Sequence, residues 1–126
     1  MTKERKSLGE RAERMAKVFL KKTGYRILEE NYTCALGELD LVALERGVLA
    51  FIEVRSRRGN GNPEASINLA KQRQIVKAAY AYLSEKGWEG DCRFDVVAVE
   101  ISPDGKLERM ELIRDAFDQD GVEIFT

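Results

Sequence analysis

The stretch GELDLVALERGVLAFIEVRSRR, Gly37–Arg58, sets how the rest of the chain is read. Leu39, Leu41 and Ala43, then Leu49 through Ile52, form two nearly unbroken apolar runs, the pattern of strands buried on both faces. Arg46-Gly47 is the turn signal between them. A two-residue loop there pairs Glu45 with Val48, sets Asp40 opposite Glu53 and sets Glu38 opposite Arg55. A four-residue loop pairing Leu44 with Leu49 gives the same register; a three-residue loop would spoil it. Side chains alternate along a strand, so Glu38, Asp40, Glu53 and Arg55 fall on one face. Opposite Cβ atoms lie roughly 4.5–5.5 Å apart. Carboxylates that close repel unless a positive charge sits between them, and a hard divalent cation such as Mg²⁺ suits oxygen ligands at that spacing.

The remaining composition narrows the chemistry. A chain of 126 residues fits one domain with one sizeable core. No run reaches transmembrane length and none reads as a signal peptide. Cys34 and Cys92 have no motif spacing, so reduced thiols and a cytoplasmic location are the expectation. There is no histidine. That excludes Ser-His-Asp and Cys-His catalysis and imidazole zinc sites, and leaves carboxylates, Lys, Arg and a metal. The net charge of −1 hides a polarity. Residues 1–22 carry eight basic and three acidic side chains; residues 89–126 carry four basic and eleven acidic. The argument for a nucleic-acid partner is therefore local.

In chain order, Ser7 is a candidate cap for a helix to about Thr23, with Gly24 as its stop. Its apolar stripe is Leu8, Ala12, Met15, Ala16, Phe19 and Leu20, and Glu13 lies on the flank of that stripe, an ordinary surface glutamate by this pattern alone. Tyr25–Thr33 reads as a first strand. The hairpin follows, then an Arg57–Pro63 loop. Ser66–Lys86 reads as a long helix ended by Gly87, and Cys92–Ile101 as a fourth strand. Pro103-Asp104-Gly105 is a turn. Lys106–Arg114 reads as an edge strand, and residues 115–126 as a peripheral acidic tail. The predicted fold is α/β, α-β-β-β-α-β-β, a mixed five-stranded sheet with helices packed on it, in a single domain over 1–126. The strands on either side of the long helix are expected to be parallel.

Arg55, Arg57, Arg58, Lys71, Arg73 and Lys77 stand against one acid, Glu64, between positions 55 and 77. A basic strip beside a carboxylate pair suits the cutting of a phosphodiester: cations hold the backbone, and a metal activates water and neutralises developing charge. Arg55 is placed to stabilise that charge. The competing reading is an ion-pair network in which three acids and an arginine satisfy one another. Spacing alone divides these evenly.

Several strings resemble a known family. Gly9-x-x-Ala12-Glu13-x-x-Ala16, Phe19-Leu20 and Gly24-Tyr25-Arg26-Ile27-Leu28 match its N-terminal helix and first strand. Asn31, Gly37–Ala43 and Phe51–Arg57 match its central motif; Lys71, Ile75, Ala79, Arg93–Val97 and Ala116-Phe117 match its later positions. The chain resembles the YraN-like family of small bacterial proteins, itself similar to Holliday-junction resolvases and restriction-endonuclease-like nucleases, whose signature is Asp, a spacer, then Glu-x-Lys. The resemblance implies a restriction-endonuclease-like sheet and a Mg²⁺- or Mn²⁺-dependent endonuclease acting on DNA, at branched or recombination structures, with RNA second. It implies Asp40 and Glu53 as metal ligands, the Val54 carbonyl as a third, and Glu13 in support. It implies a homodimer by analogy only. Ala12 replaces a usual glycine, which a helix tolerates. Arg55 replaces the usual lysine. Arginine does not give up its proton, so Glu38 or hydroxide generated at the metal would have to act as base. The alternative is a binding module of the same fold with a weak or lost active site.

Overall fold

The computed structural model describes residues 3–58 and 63–118. Helix α1 spans Lys3–Thr23, followed by strands β1 (Arg26–Cys34), β2 (Gly37–Glu45) and β3 (Val48–Arg58). A 3₁₀ turn at Pro63–Ser66 leads into α2 (Leu69–Lys86), then β4 (Cys92–Ile101) and β5 (Leu107–Phe117). The order is the expected α-β-β-β-α-β-β. The five strands form one sheet in sequence order, antiparallel except for β3–β4, which is parallel as a helical crossover requires.

The hairpin forms for the reason its sequence suggests. Arg46 and Gly47 both have positive φ, 51° and 81°, the backbone of a two-residue turn whose twist matches the strands it joins. Glu45 pairs with Val48, and the ladder runs in the anticipated register through Leu41↔Ile52. Alternation along β3 then feeds two cores. Leu49 and Phe51 join Val42, Ile75, Val76 and Tyr82 under α2. Ala50 and Ile52 join Ala12, Ala16, Leu20, Val97 and Val99 under α1. The sheet is a middle layer covered on both faces, which is why its central strands are apolar throughout. Gly37 packs so near α2 that a Cβ there would come within 3.2 Å of the Gln74 carbonyl.

Boundaries differ from expectation where capping and pairing compete. Helix α1 begins at Lys3, so Ser7 is inside it and caps nothing; the residues before Ser7 are strong helix formers. Arg57 and Arg58 of the expected loop belong to β3 because β4 offers them partners in Glu100 and Ile101; residues 59–62 of that loop lie outside the described residues. The expected Ser66–Lys86 helix divides: its first residue closes the 3₁₀ turn, and Asn68 caps α2 by accepting the Lys71 N–H at 2.9 Å. Gly87 ends α2 in the left-handed conformation, its N–H returning to the Leu83 carbonyl. Strand β5 continues to Phe117, whose ring stacks on Phe94 with centroids 5.0 Å apart. Residues 115–117 of the anticipated tail are therefore strand, and 119–126 lie outside the described residues. Among the described residues, no helix is long and apolar enough to cross a membrane.

Candidate functional site

The site lies where β2 and β3 stop pairing. Their ladder ends at Leu41↔Ile52. One residue beyond, Asp40 Oδ2 accepts the Val54 backbone N–H at 2.9 Å. The carboxylate thus takes the place of a strand partner in the gap between the diverging strands. The N–H and C=O of one strand residue point to the same edge. The Val54 carbonyl accordingly faces the same gap as Asp40.

Glu53 is only 5 % exposed. Arg55 Nη2 lies 3.2 Å and Lys71 Nζ 3.6 Å from Glu53 Oε2. These cations do not compensate the carboxylate fully: burial, and then the neighbouring charge of Asp40, push Glu53 up to about 8. Glu13, half-buried on α1, is also raised, by burial first and then by the charges of Asp40 and Glu38. Helix α1 therefore brings Glu13 into the electrostatic neighbourhood of the pair, from the flank of its apolar stripe. Glu38 is exposed and pairs across β1 with Thr33. With the β2–β3 ladder ended, the ion pair seen for Arg55 is with Glu53 on its own strand and not with Glu38 on the facing one. Among the described residues, Arg55 Nε is buried without a hydrogen-bond partner. Beside it opens a cleft of about 420 Å³ lined by Gly9, Val54, Arg55, Ser56, Arg57, Pro63 and Ser66.

The basic strip divides in space. Lys71 turns inward to Glu53. Arg57 and Arg58 are exposed at the end of β3, where it runs parallel to Glu100 and Ile101. Arg73 and Lys77, one turn apart, lie on the exposed side of α2, away from its buried residues Ile75, Val76, Ala79 and Tyr82. Among the described residues, a larger apolar groove of about 450 Å³ between α1 and β5 is lined by Arg14 and Lys22 as its charged groups and by no carboxylate.

Among the described residues, no three Asp, Glu, Cys or His side chains converge as a ready-made metal cage. The donor set at the strand gap is instead two acidic side chains and a backbone carbonyl. That composition suits an ion which keeps several waters and takes one or two carboxylates, as Mg²⁺ does. The under-compensated negative charge at Glu53 is where such a cation would be favoured.

A second polar cluster carried no assigned role in the sequence. Asp95 is fully buried and accepts the Tyr25 hydroxyl at 2.7 Å, Arg93 Nε at 3.0 and 3.1 Å, and the Asp115 N–H at 2.9 Å. Arg93 also reaches Glu45, which receives Arg114 through two hydrogen bonds of 2.9 and 2.6 Å. Arg114 holds Glu45 down at about 2, against burial and with help from Arg93. Both carboxylates, Asp95 and Glu45, are satisfied, so this cluster ties Tyr25, just ahead of β1, to β2, β4 and β5 as structure. Its signals in the sequence are the Arg93-x-Asp95 alternation inside an apolar strand and the place of Arg93–Val97 among the matched positions.

A family model described as "Uncharacterised protein family UPF0102" matches residues 12–99. A UPF0102 protein of Symbiobacterium thermophilum is 47% identical over 113 residues, covering 87% of this chain and 95% of its own. One from Syntrophus aciditrophicus is 43% identical over 113 residues, covering 87% of each chain. One from Pelotomaculum thermopropionicum is 44% identical over 120 residues, covering 93% of this chain and all of its own.

Proposed function

This chain belongs to the uncharacterised protein family UPF0102, and from that premise we propose that it is a metal-dependent nuclease hydrolysing phosphodiester bonds in DNA. The observation that carries the reading is Glu53. It is a buried carboxylate set beside Asp40 and left short of positive charge. An ion-pair network selected for stability would pair its acids as Glu45 and Asp95 are paired.

Asp40, Glu53 and the Val54 carbonyl would hold Mg²⁺ or Mn²⁺. When bound, the ion would lower the pKa of a water and neutralise charge on the phosphate. The chain's own residues do the rest. Arg55, which lines the cleft, would grip a phosphate oxygen. Lys71 would hold Glu53 in place and add positive field. Arg57 and Arg58 would steer the strand into the cleft. A guanidinium acts on charge and not as a base, and that is the role open to Arg55. Glu13, whose acidity is already weakened, and exposed Glu38 are the acids left near Asp40 to take a proton.

That same property of Arg55 favours a second reading, a nucleic-acid-binding module with slow or lost hydrolysis. A panel of duplex, single-stranded and branched DNA and of RNA, with Mg²⁺ or Mn²⁺, tests both. Metal-dependent cleavage that Glu53→Gln abolishes supports the nuclease. Salt-sensitive binding without cleavage supports the module. Equal cleavage by wild type and Glu53→Gln identifies a contaminant and ends the enzymatic reading.

A further inference from the structure

The structure assigns Asn31 as the residue that aims Asp40, through its backbone and not through its side chain; what this means for catalysis rests on the nuclease reading. Asn31 has φ of 52° inside β1. Among the described residues only Arg46 and Asp115 share that property without being glycine. Arg46 is in the hairpin turn, and Asp115 donates its N–H to Asp95. Asn31 is exposed, and the Thr33 hydroxyl donates to its backbone carbonyl at 3.3 Å, a contact that engages the Asn31 backbone and not its side chain.

The consequence is visible on the flanking residues. Glu30 pairs with Leu41, and Tyr32 with Leu39. In a regular strand, residues two apart share a face. Here they do not. Glu30 meets Lys17 of α1 at 2.7 Å, and its partner Leu41 lies in the core under α1. Tyr32 hydrogen-bonds Glu85 of α2 at 2.7 Å, and its partner Leu39 lies in the core under α2. Both strands therefore change faces between the two rungs, and the residues between the rungs are Asn31 and Asp40. A left-handed residue supplies such a re-aiming, and asparagine is among the few non-glycine residues that accept it at low cost. Asp40, at the pivot, points into neither core. It points across to β3, where it accepts the Val54 N–H.

The test is hydrogen exchange of the Val54 amide, followed by NMR in chelator on the full chain. Asn31→Gly, which keeps positive φ accessible, should leave that amide within about twofold of wild type. Asn31→Val, whose β-branched side chain resists positive φ, should speed it about tenfold, towards the rate in Asp40→Ala, while the amides of Ile75 and Val97 keep their protection. Asn31→Ala serves if the valine variant does not fold. Mn²⁺ affinity, titrated separately, should fall with Asn31→Val and return with Asn31→Gly. A Val54 amide at wild-type rate in folded Asn31→Val or Asn31→Ala overturns the assignment. So does a glycine variant that behaves like valine, since the side chain would then be what matters. Wild type that binds no Mn²⁺ defeats the nuclease reading but leaves the exchange result to decide the aiming role by itself.

Discussion

Replacing Glu53 with glutamine should make the metal-free protein more stable, and the gain should grow with pH. Glu53 is 5 % exposed and its carboxyl is raised from 4.5 to about 8 by burial and by Asp40. The sign follows from proton linkage. Between those values the folded state holds a proton that the unfolded chain has lost, so stability falls as pH rises from about 4.5 towards 8. At pH 7 the difference amounts to roughly 3 kcal/mol, at about 1.4 kcal/mol per pH unit. Glutamine has the same shape and no charge to bury. The partly exposed pairings to Arg55 and Lys71 already hold the Glu53 value down, so their loss is included in the difference. The gain at pH 7 is therefore up to about 3 kcal/mol, which for a domain this size corresponds to a melting shift of up to roughly 12 °C. The assay is thermal unfolding of wild type and Glu53→Gln, with EDTA, between pH 5 and pH 8. The two midpoints should converge near pH 5 and separate towards pH 8, with the variant higher. A variant that melts below wild type at pH 8 would contradict this account. It would mean that Glu53 is a stabilising partner of Arg55 and Lys71, whose removal leaves two partly exposed cations without their carboxylate. A stability gain from removing a carboxylate is the signature expected of a site strained for function.

Mg²⁺ or Mn²⁺ should raise the wild-type midpoint, by about 2.7 kcal/mol at a hundred times the dissociation constant, and Asp40→Asn should remove that response in the same melting experiment while its side-chain oxygen still accepts the Val54 N–H. Arg55→Lys should preserve or raise metal-dependent cleavage and Arg55→Ala should lower it, measured as initial rates on a labelled substrate with folding verified by circular dichroism. Charge reversal at Arg57 and Arg58 should weaken duplex DNA binding and flatten its salt dependence by about 0.9 in log–log slope for each phosphate no longer neutralised, whereas reversal at Arg73 and Lys77, on the far side of α2, should change the slope less; the reverse ranking in fluorescence anisotropy would move the interface to that helix. Glu45, held at about 2 by Arg114 and Arg93, should contribute on the order of 2 kcal/mol above pH 4.5 and lose it as pH falls towards 2; acid unfolding of Glu45→Gln should lack that increment.

Local sequence is enough to settle the elements and their pairing. Two apolar runs around Arg46-Gly47 give the observed hairpin register with a two- or four-residue loop, and the positive φ of Arg46 and Gly47 selects the two-residue one. The α2 helix between β3 and β4 requires them to be parallel. Asp40 and Glu53 were legible as neighbours from the hairpin register, but not in the facing pair that alternation gives, because the ladder ends at Leu41↔Ile52 and Asp40 accepts the Val54 N–H instead. Their surroundings were not legible. Alternation places Glu38 with Asp40, Glu53 and Arg55, yet the strands separate after Leu41↔Ile52, and the fold leaves Glu38 exposed beside β1. Linear spacing groups Lys71, Arg73 and Lys77, but helix geometry turns Lys71 towards Glu53 and the others outward. The raised pKa of Glu53 comes from burial and proximity to Asp40, quantities that depend on how layers stack. The positive φ of Asn31 belongs to the same class: a local propensity permits it, and only the sheet, with a core on each face to fill, requires it.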